Sequence, residues 1–366
     1  RRAGVRAQGV RICLMPEIPP AFGGCGSKRE GGGHNREVTR PRKPLPAGLG
    51  SVFTVPEAES RGVGRSRLRA SDVEKLFRGV YGAVGTGLLR SGEVMHELHP
   101  SELWRRRQLR RAYAFQKVMG QHLFFSGRTA ALIWGLPVPP STSSDIDVAC
   151  KYPGQTPRIA GVHCHRVRQD LVTVTTHRGF WVTSPASTWV MLAAEFEMQD
   201  LVALGDAVLH RPRIGGTTRL ERPPLATAAA LNAEISRGRR IGLATARRAL
   251  PLLTTQSASA PESHLRLQLQ QWGLPKPTLD HDVRDAPGQF LGCTEIAYPE
   301  FKVAFEYEGD HHRVSKTQWD RDIEKARDYT AAGWLTIRVT AHLLYTTPGE
   351  LRRIAESTLR SRGWRP

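Results

Sequence analysis

Residues 301–312 read FKVAFEYEGDHH, and few local structures accommodate them. The alternation sets Val303, Phe305 and Tyr307 on one side and Ala304, Glu306 and Glu308 on the other, the period-two pattern of a strand with one packed face. Gly309 breaks the run, and His311 and His312 follow. An edge strand with glutamates on its wet side has the same pattern. What separates the two is whether neighbouring segments bring further acids to that face.

They do. In PESHLRLQLQQWGLP, Pro261 suits a first helical turn and Gly273 a helix end. Glu262, Leu265 and Leu269 stand at i, i+3 and i+7, so Glu262 points inward with the leucines. An inward carboxylate needs a metal, a cation or water as partner, unless it only complements the helix N-terminus. Three strand-like pieces follow, KPTLDHDV, CTEIAYPE and FKVAFEYE, with a tight turn at Pro299-Glu300. Next comes a helix, SKTQWDRDIEKARDYTAAG, with Gln318, Asp322 and Lys325 in one stripe and Gly333 as its stop. WLTIRVT is a strand and PGELRRIAESTLRSR a closing amphipathic helix. The order is α-β-β-β-α-β-α, with acids on the first helix and on the second and third strands. Cutting a phosphodiester needs a cation to neutralise developing charge and to activate water. Mg²⁺ keeps several waters, so two or three carboxylates suffice to hold it, and a nearby imidazole can move protons.

With these residues in place, 257–366 resembles the PD-(D/E)XK nuclease superfamily, in the branch similar to very-short-patch repair endonucleases. That branch has a helix Glu, an Asp in the strand before the turn, E-x-D-G-x-x-H, a helix with Gln and Asp, and G-W-x-(I/V)-x-R. The matching positions are Glu262, Glu295, Glu306 to Gly309 with His312, Gln318 and Asp322, and Gly333 to Arg338. The resemblance implies a restriction-endonuclease-like α/β domain using Mg²⁺ or Mn²⁺. Glu295 and Glu306 would hold the metal and Glu262 would assist. Glu308 takes the last acid position, His312 is the acid/base candidate, and Gln318 would orient water or phosphate. Glu295 and Glu308 each stand where the branch has Asp, and the extra methylene moves a carboxylate by over about 1 Å. The cysteine-and-histidine zinc site of the repair enzymes has no counterpart.

Upstream, residues 1–50 are Gly-, Pro- and Arg-rich without hydrophobic period and are expected to be a disordered basic tail or an upstream extension of the reading frame. In residues 51–86, Thr54 can cap a helix that ends at Gly62, and 63–73 is expected to form a second. LFRGVYGAV then alternates as a strand pair. Two short helices and a wing describe a winged helix-turn-helix, with Arg65, Arg67 and Arg69 as DNA contacts or as a solvated basic helix. Residues 87–119 read as a charged helix, either a connector or an extension of a basic DNA surface. Residues 87–250 form a mixed α+β region, in which Asp145 and Asp147 make a D-x-D without a convincing Gly-Ser loop, and 251–260 is a Ser/Ala/Pro linker before a nuclease-like 261–366. Segments such as TAALIWGLPVP and FWVTSPASTWVMLAAEF resemble, more loosely, actinobacterial proteins that join an AbiEi-type antitoxin-like winged helix to this module.

The net charge of +19 suits a polyanionic partner, or a generally basic background. The five cysteines are scattered with no CxxC, which speaks for a reducing, cytoplasmic setting, and no apolar run suits a membrane span. The chain is therefore expected to be an α/β multidomain DNA-binding protein with a Mg²⁺-dependent endonuclease domain. The alternative is a transcriptional regulator or antitoxin, with a possible toxin partner, whose nuclease-like domain is weak or inactive.

Overall fold

A computed structural model describes residues 43–89, 98–309 and 316–366, the side chains of 316–320 excepted. The chain divides into two compact units, Arg1–Leu98 and His99–Pro366.

The first unit builds on β1 (Val52–Thr54), α1 (Val55–Glu59), β2 (Val73–Phe77) and β3 (Val80–Ala83), with the strands in the order β1-β3-β2. Thr54 caps α1 in a capping box: its Oγ1 accepts the Glu57 N–H, and Glu57 accepts the Thr54 N–H at 2.6 Å. The expected strand pair is β2–β3, turning at Arg78-Gly79. The expected helix over 63–73 is not formed. Only a 3₁₀ turn, Arg67–Arg69, occupies it. Arg67 grips Asp72 with both guanidinium arms, at 2.8 and 2.6 Å, and donates to the Lys43 carbonyl. That clamp holds the chain in a turn where a helix would separate the two residues. The core also begins earlier than Val52, because Leu49 is buried with Phe53, Ala58, Val63 and Leu68, and Leu45 packs on them.

The second unit opens with α2 (Pro100–Gln116), β4 (Leu123–Phe125), α3 (Gly127–Ile133), β5 (Ile146–Lys151), β6 (Val162–Val167), β7 (Val174–His177) and β8 (Phe180–Thr183). These strands form a five-stranded sheet in the order β6-β5-β4-β8-β7. Helix α2 is shorter than the expected 87–119, and residues 90–97 lie outside the described ones. Its arginines are largely structural: Arg105 donates to the Leu136 carbonyl, Arg111 to that of Gly161, and Arg106 pairs with Glu102 at 2.7 Å.

An apolar layer of α4 (Pro185–Leu192), α5 (Met198–Leu209), α6 (Ala228–Ser236) and α7 (Leu243–Ala249) follows, centred on the fully buried Trp189. Its indole donates to the Leu201 carbonyl, so the polar tip is satisfied inside the core. A Cβ at Gly205 would come within 2.6 Å of Leu253 and 2.8 Å of that indole, so only glycine lets α5 approach this closely.

The last part has α8 (Ala260–Gln271), β9 (Thr278–Arg284), β10 (Phe290–Tyr298), β11 (Val303–Glu308), α9 (Lys316–Ala331), β12 (Leu335–Thr340) and α10 (Pro348–Ser361). The α-β-β-β-α-β-α order is as expected. The sheet order is β12-β11-β10-β9, antiparallel except for the parallel β11–β12 pair. Val303 and Phe305 face Leu265, Leu269 and Leu351, whereas Ala304 faces Tyr329 of α9, so the alternation in 301–308 is real.

The stretch 251–260 is packed rather than a free linker. The Thr254 N–H donates to Asp206 at 2.7 Å and Ser257 is buried. Asp206 also accepts from Ser263 and from Arg266, both on α8, at 2.7 and 2.9 Å. Helices α5 and α8 are thereby bolted together. Among the described residues, no helix is long and apolar enough to cross a membrane. Cys150, Cys164 and Cys293 are unpaired thiols.

Candidate active site

Four segments converge at one end of the C-terminal sheet. The last antiparallel pair between β10 and β11 is Ile296 with Phe305. One residue further on, Glu295 and Glu306 stand where the two strands part. The Glu295 carboxylate takes the freed Tyr307 N–H at 2.8 Å, replacing a ladder bond with a side chain. Glu306 points toward α9, where Lys325 Nζ meets its Oε1 at 2.5 Å. Lys325 in turn lies 5.2 Å from the Tyr329 ring centre, one turn along α9.

Glu262 enters from the first turn of α8 and is 7 % exposed. Ser259 caps the helix by accepting the Glu262 N–H, and the Glu262 carboxylate accepts the Ala258 N–H at 2.8 Å. Glu262 faces inward as expected, and its carboxylate serves its own helix terminus. Burial raises its carboxyl above the ordinary range, those hydrogen bonds oppose the rise, and the charge of Asp280 adds to it.

Glu295 is the most perturbed acid. Burial first, then the charges of Glu262 and Glu306, push it up to about 8, against the pull of the Tyr307 N–H and Lys325. Three carboxylates thus share one field, in which the contacting cation is Lys325. Carboxyls perturbed in this way by burial and by one another mark a candidate functional site. Among the described residues, however, no three His, Cys, Asp or Glu groups converge as a ready-made metal cage. Glu295 and Glu306, on parting strands, supply carboxylate oxygens of the kind a hard cation takes.

The other expected residues fall as follows. Glu308 is bonded to Arg338 of the neighbouring strand at 3.4 Å, on the rim. His312 lies outside the described residues, as does the side chain of Gln318, whose backbone is in α9. In the first unit, Arg65 is exposed and paired with Glu59 at 3.0 Å, Arg67 is held by Asp72, and Arg69 is exposed.

Sequence reasoning placed Lys325 on the α9 stripe but gave it no role. It also missed the flank of the site. Asp280, between the pairs Leu279–Ile296 and His281–Thr294, has φ +49° and accepts from Arg213 and from Cys293. Burial, then Asp280, push the Cys293 thiol up to about 12, which favours its protonated form. Arg213 lies 67 positions before Asp280, and no local periodicity signals that contact.

No family model matches the chain. It is 29% identical over 257 residues to "Uncharacterized protein Rv2248" of Mycobacterium tuberculosis (strain H37Rv), covering 69% of this chain and 88% of the relative. The same figures hold for "Uncharacterized protein MT2308" of Mycobacterium tuberculosis (strain CDC 1551 / Oshkosh). Neither name states an activity.

Proposed function

We propose that this protein is a DNA endonuclease that depends on Mg²⁺ or Mn²⁺ and hydrolyses phosphodiester bonds at the Glu262, Glu295, Glu306 and Lys325 cluster. The observation that carries the reading is the shared field of three glutamates, with Glu295 lifted to about 8 by burial and its two neighbours. The α-β-β-β-α-β-α order and its mixed sheet support it, because they set acids from a helix and two strands at one sheet end. Glu295 and Glu306 would hold the cation, which when bound supplies charge neutralisation and water activation. Lys325, in contact with Glu306, places a positive group beside the scissile phosphate and orients that carboxylate. Glu262 narrows the site from the α8 terminus and raises its affinity for positive charge. Glu308, His312 and Gln318 are assigned to the rim, to proton transfer and to water positioning. The basic chain, with Arg65 and Arg69 exposed in the first unit, suits duplex DNA in a reducing, cytoplasmic setting.

The test is nicking of supercoiled plasmid in Mg²⁺. Wild type is expected to relax the plasmid, and Glu306→Ala to be slower by at least about 10³-fold. Equal nicking by both proteins would sink the assignment.

A second reading is favoured by one observation: the Glu262 carboxylate is turned onto the Ala258 N–H. On that reading the protein is a DNA-binding regulator or antitoxin, acting with a toxin partner, whose nuclease-like domain no longer cuts. It predicts salt-dependent DNA binding without cleavage in Mg²⁺ or Mn²⁺.

A further inference from the structure

Between α5 and α6 the chain makes an excursion over residues 211–222, RPRIGGTTRLER. It folds as a tight hairpin-like arm. The Ile214 N–H donates to the Arg219 carbonyl at 2.9 Å, Arg213 and Leu220 form an isolated antiparallel bridge, and the Thr217 hydroxyl closes the tip onto the Ile214 carbonyl at 2.8 Å.

The root of this arm is fixed to the C-terminal sheet. Arg213 pairs with Asp280 and, at 2.8 Å, with Asp282, and lies 3.3 Å from Cys293 Sγ. The Gly216 N–H donates to Asp282 at 3.2 Å. A Cβ at Gly215 or Gly216 would sit 3.1 or 3.2 Å from the Phe290 ring, so the two glycines let the arm lie directly on that ring. Cys293 is two positions before Glu295 on β10, about 7 Å along the strand. The Asp280 charge held by Arg213 is also felt at Glu262. The arm is therefore seated at the flank of the acid cluster.

Its composition is one-sided. Arg213 is engaged by the two aspartates and is only 18 % exposed, whereas Arg211, Arg219 and Arg222 are exposed on the same short segment beside a single acid, Glu221. Three exposed arginines on one short segment make a basic patch of the kind that attracts a polyanion. A carboxylate-rich floor also repels phosphate, so a polyanion can approach it only where cations flank the floor.

We propose that the 211–222 arm is a DNA-backbone clamp. Arg211, Arg219 and Arg222 bind phosphates flanking the scissile one, and Arg213 positions the arm while neutralising Asp280 and Asp282. The clamp flanks the proposed nuclease site and rests on DNA being the protein's ligand, as that reading has it.

The experiment measures binding of the full-length protein to a short duplex DNA across a salt series, in EDTA so that no cleavage occurs. Replacing Arg211, Arg219 and Arg222 together by alanine is expected to lower affinity about ten- to hundredfold at about 0.15 M salt. It should also reduce the slope of log K against log salt by about 2–3, roughly 0.9 for each phosphate no longer neutralised. The triple lysine variant keeps the charge and should retain most of the slope. An unchanged melting temperature shows that the alanine variant is folded, as expected for exposed side chains. An alanine variant with wild-type affinity and slope overturns the clamp. Because no cleavage is read, this result is independent of the plasmid assay: an inactive protein whose slope falls keeps the clamp and loses the nuclease.

Discussion

Helix α8 carries two buried charges one turn apart, and they live in opposite circumstances. Arg266 meets Asp206 inside the joint with α5, and Asp206 gathers further donors from Ser263 and the Thr254 N–H. Burial pushes the Asp206 carboxyl up, but each of these three neighbours favours its charge. Four residues earlier, Glu262 faces Glu295, and there two other carboxylates add to burial instead of opposing it. The first cluster surrounds its carboxylate with donors, which serves structure. In the second, carboxylates crowd one another under burial, the kind of perturbation that marks a candidate functional site.

The contrast can be broken from either side. Asp206→Ala strands the Arg266 guanidinium in the α5–α8 joint and is expected to cost about 3–5 kcal/mol, read as a lower urea midpoint. The double change Asp206→Leu with Arg266→Met should recover most of it, because well-packed apolar residues replace a buried pair with little loss. If Asp206→Ala unfolds at the wild-type midpoint, the joint is not the structural lock described.

On the acid side, Glu295 has a folded pKa of about 8 against an ordinary 4.5. Between those values the folded state keeps a proton that the unfolded chain has released. Stability from this group therefore falls as pH rises from about 4.5 to 8 and levels off above. In metal-free buffer, wild type should lose roughly 2–4 kcal/mol between about pH 5 and pH 9 relative to Glu295→Gln, a neutral side chain that can still accept the Tyr307 N–H. Parallel stability curves for the two proteins would show that Glu295 is not under this pressure.

Much of the C-terminal part was legible because its signals are local. Period-two alternation separated Val303 and Phe305 from Ala304 and Glu306, and Pro261, Gly273, Pro299 and Gly333 marked the ends of elements. The i, i+3, i+7 spacing put Glu262 inward with Leu265 and Leu269, as observed. Long-range partners were not legible. Composition made 251–260 a linker, yet Thr254 is tied to a residue 48 positions earlier. The stretch 63–73 reads as a second short helix, yet the Arg67–Asp72 clamp holds it in a turn. The arm was missed for the same reason, since Arg213 and its aspartates meet only after the sheet has formed.

The most direct test of the central proposal, that Glu295 and Glu306 hold a hard divalent cation, is calorimetric titration of the metal-free protein with Mn²⁺ at about pH 8. Wild type is expected to bind Mn²⁺ saturably, with Glu306→Ala weakened by at least about tenfold. Mn²⁺ binding of equal strength in both proteins, or none in wild type, would contradict the account.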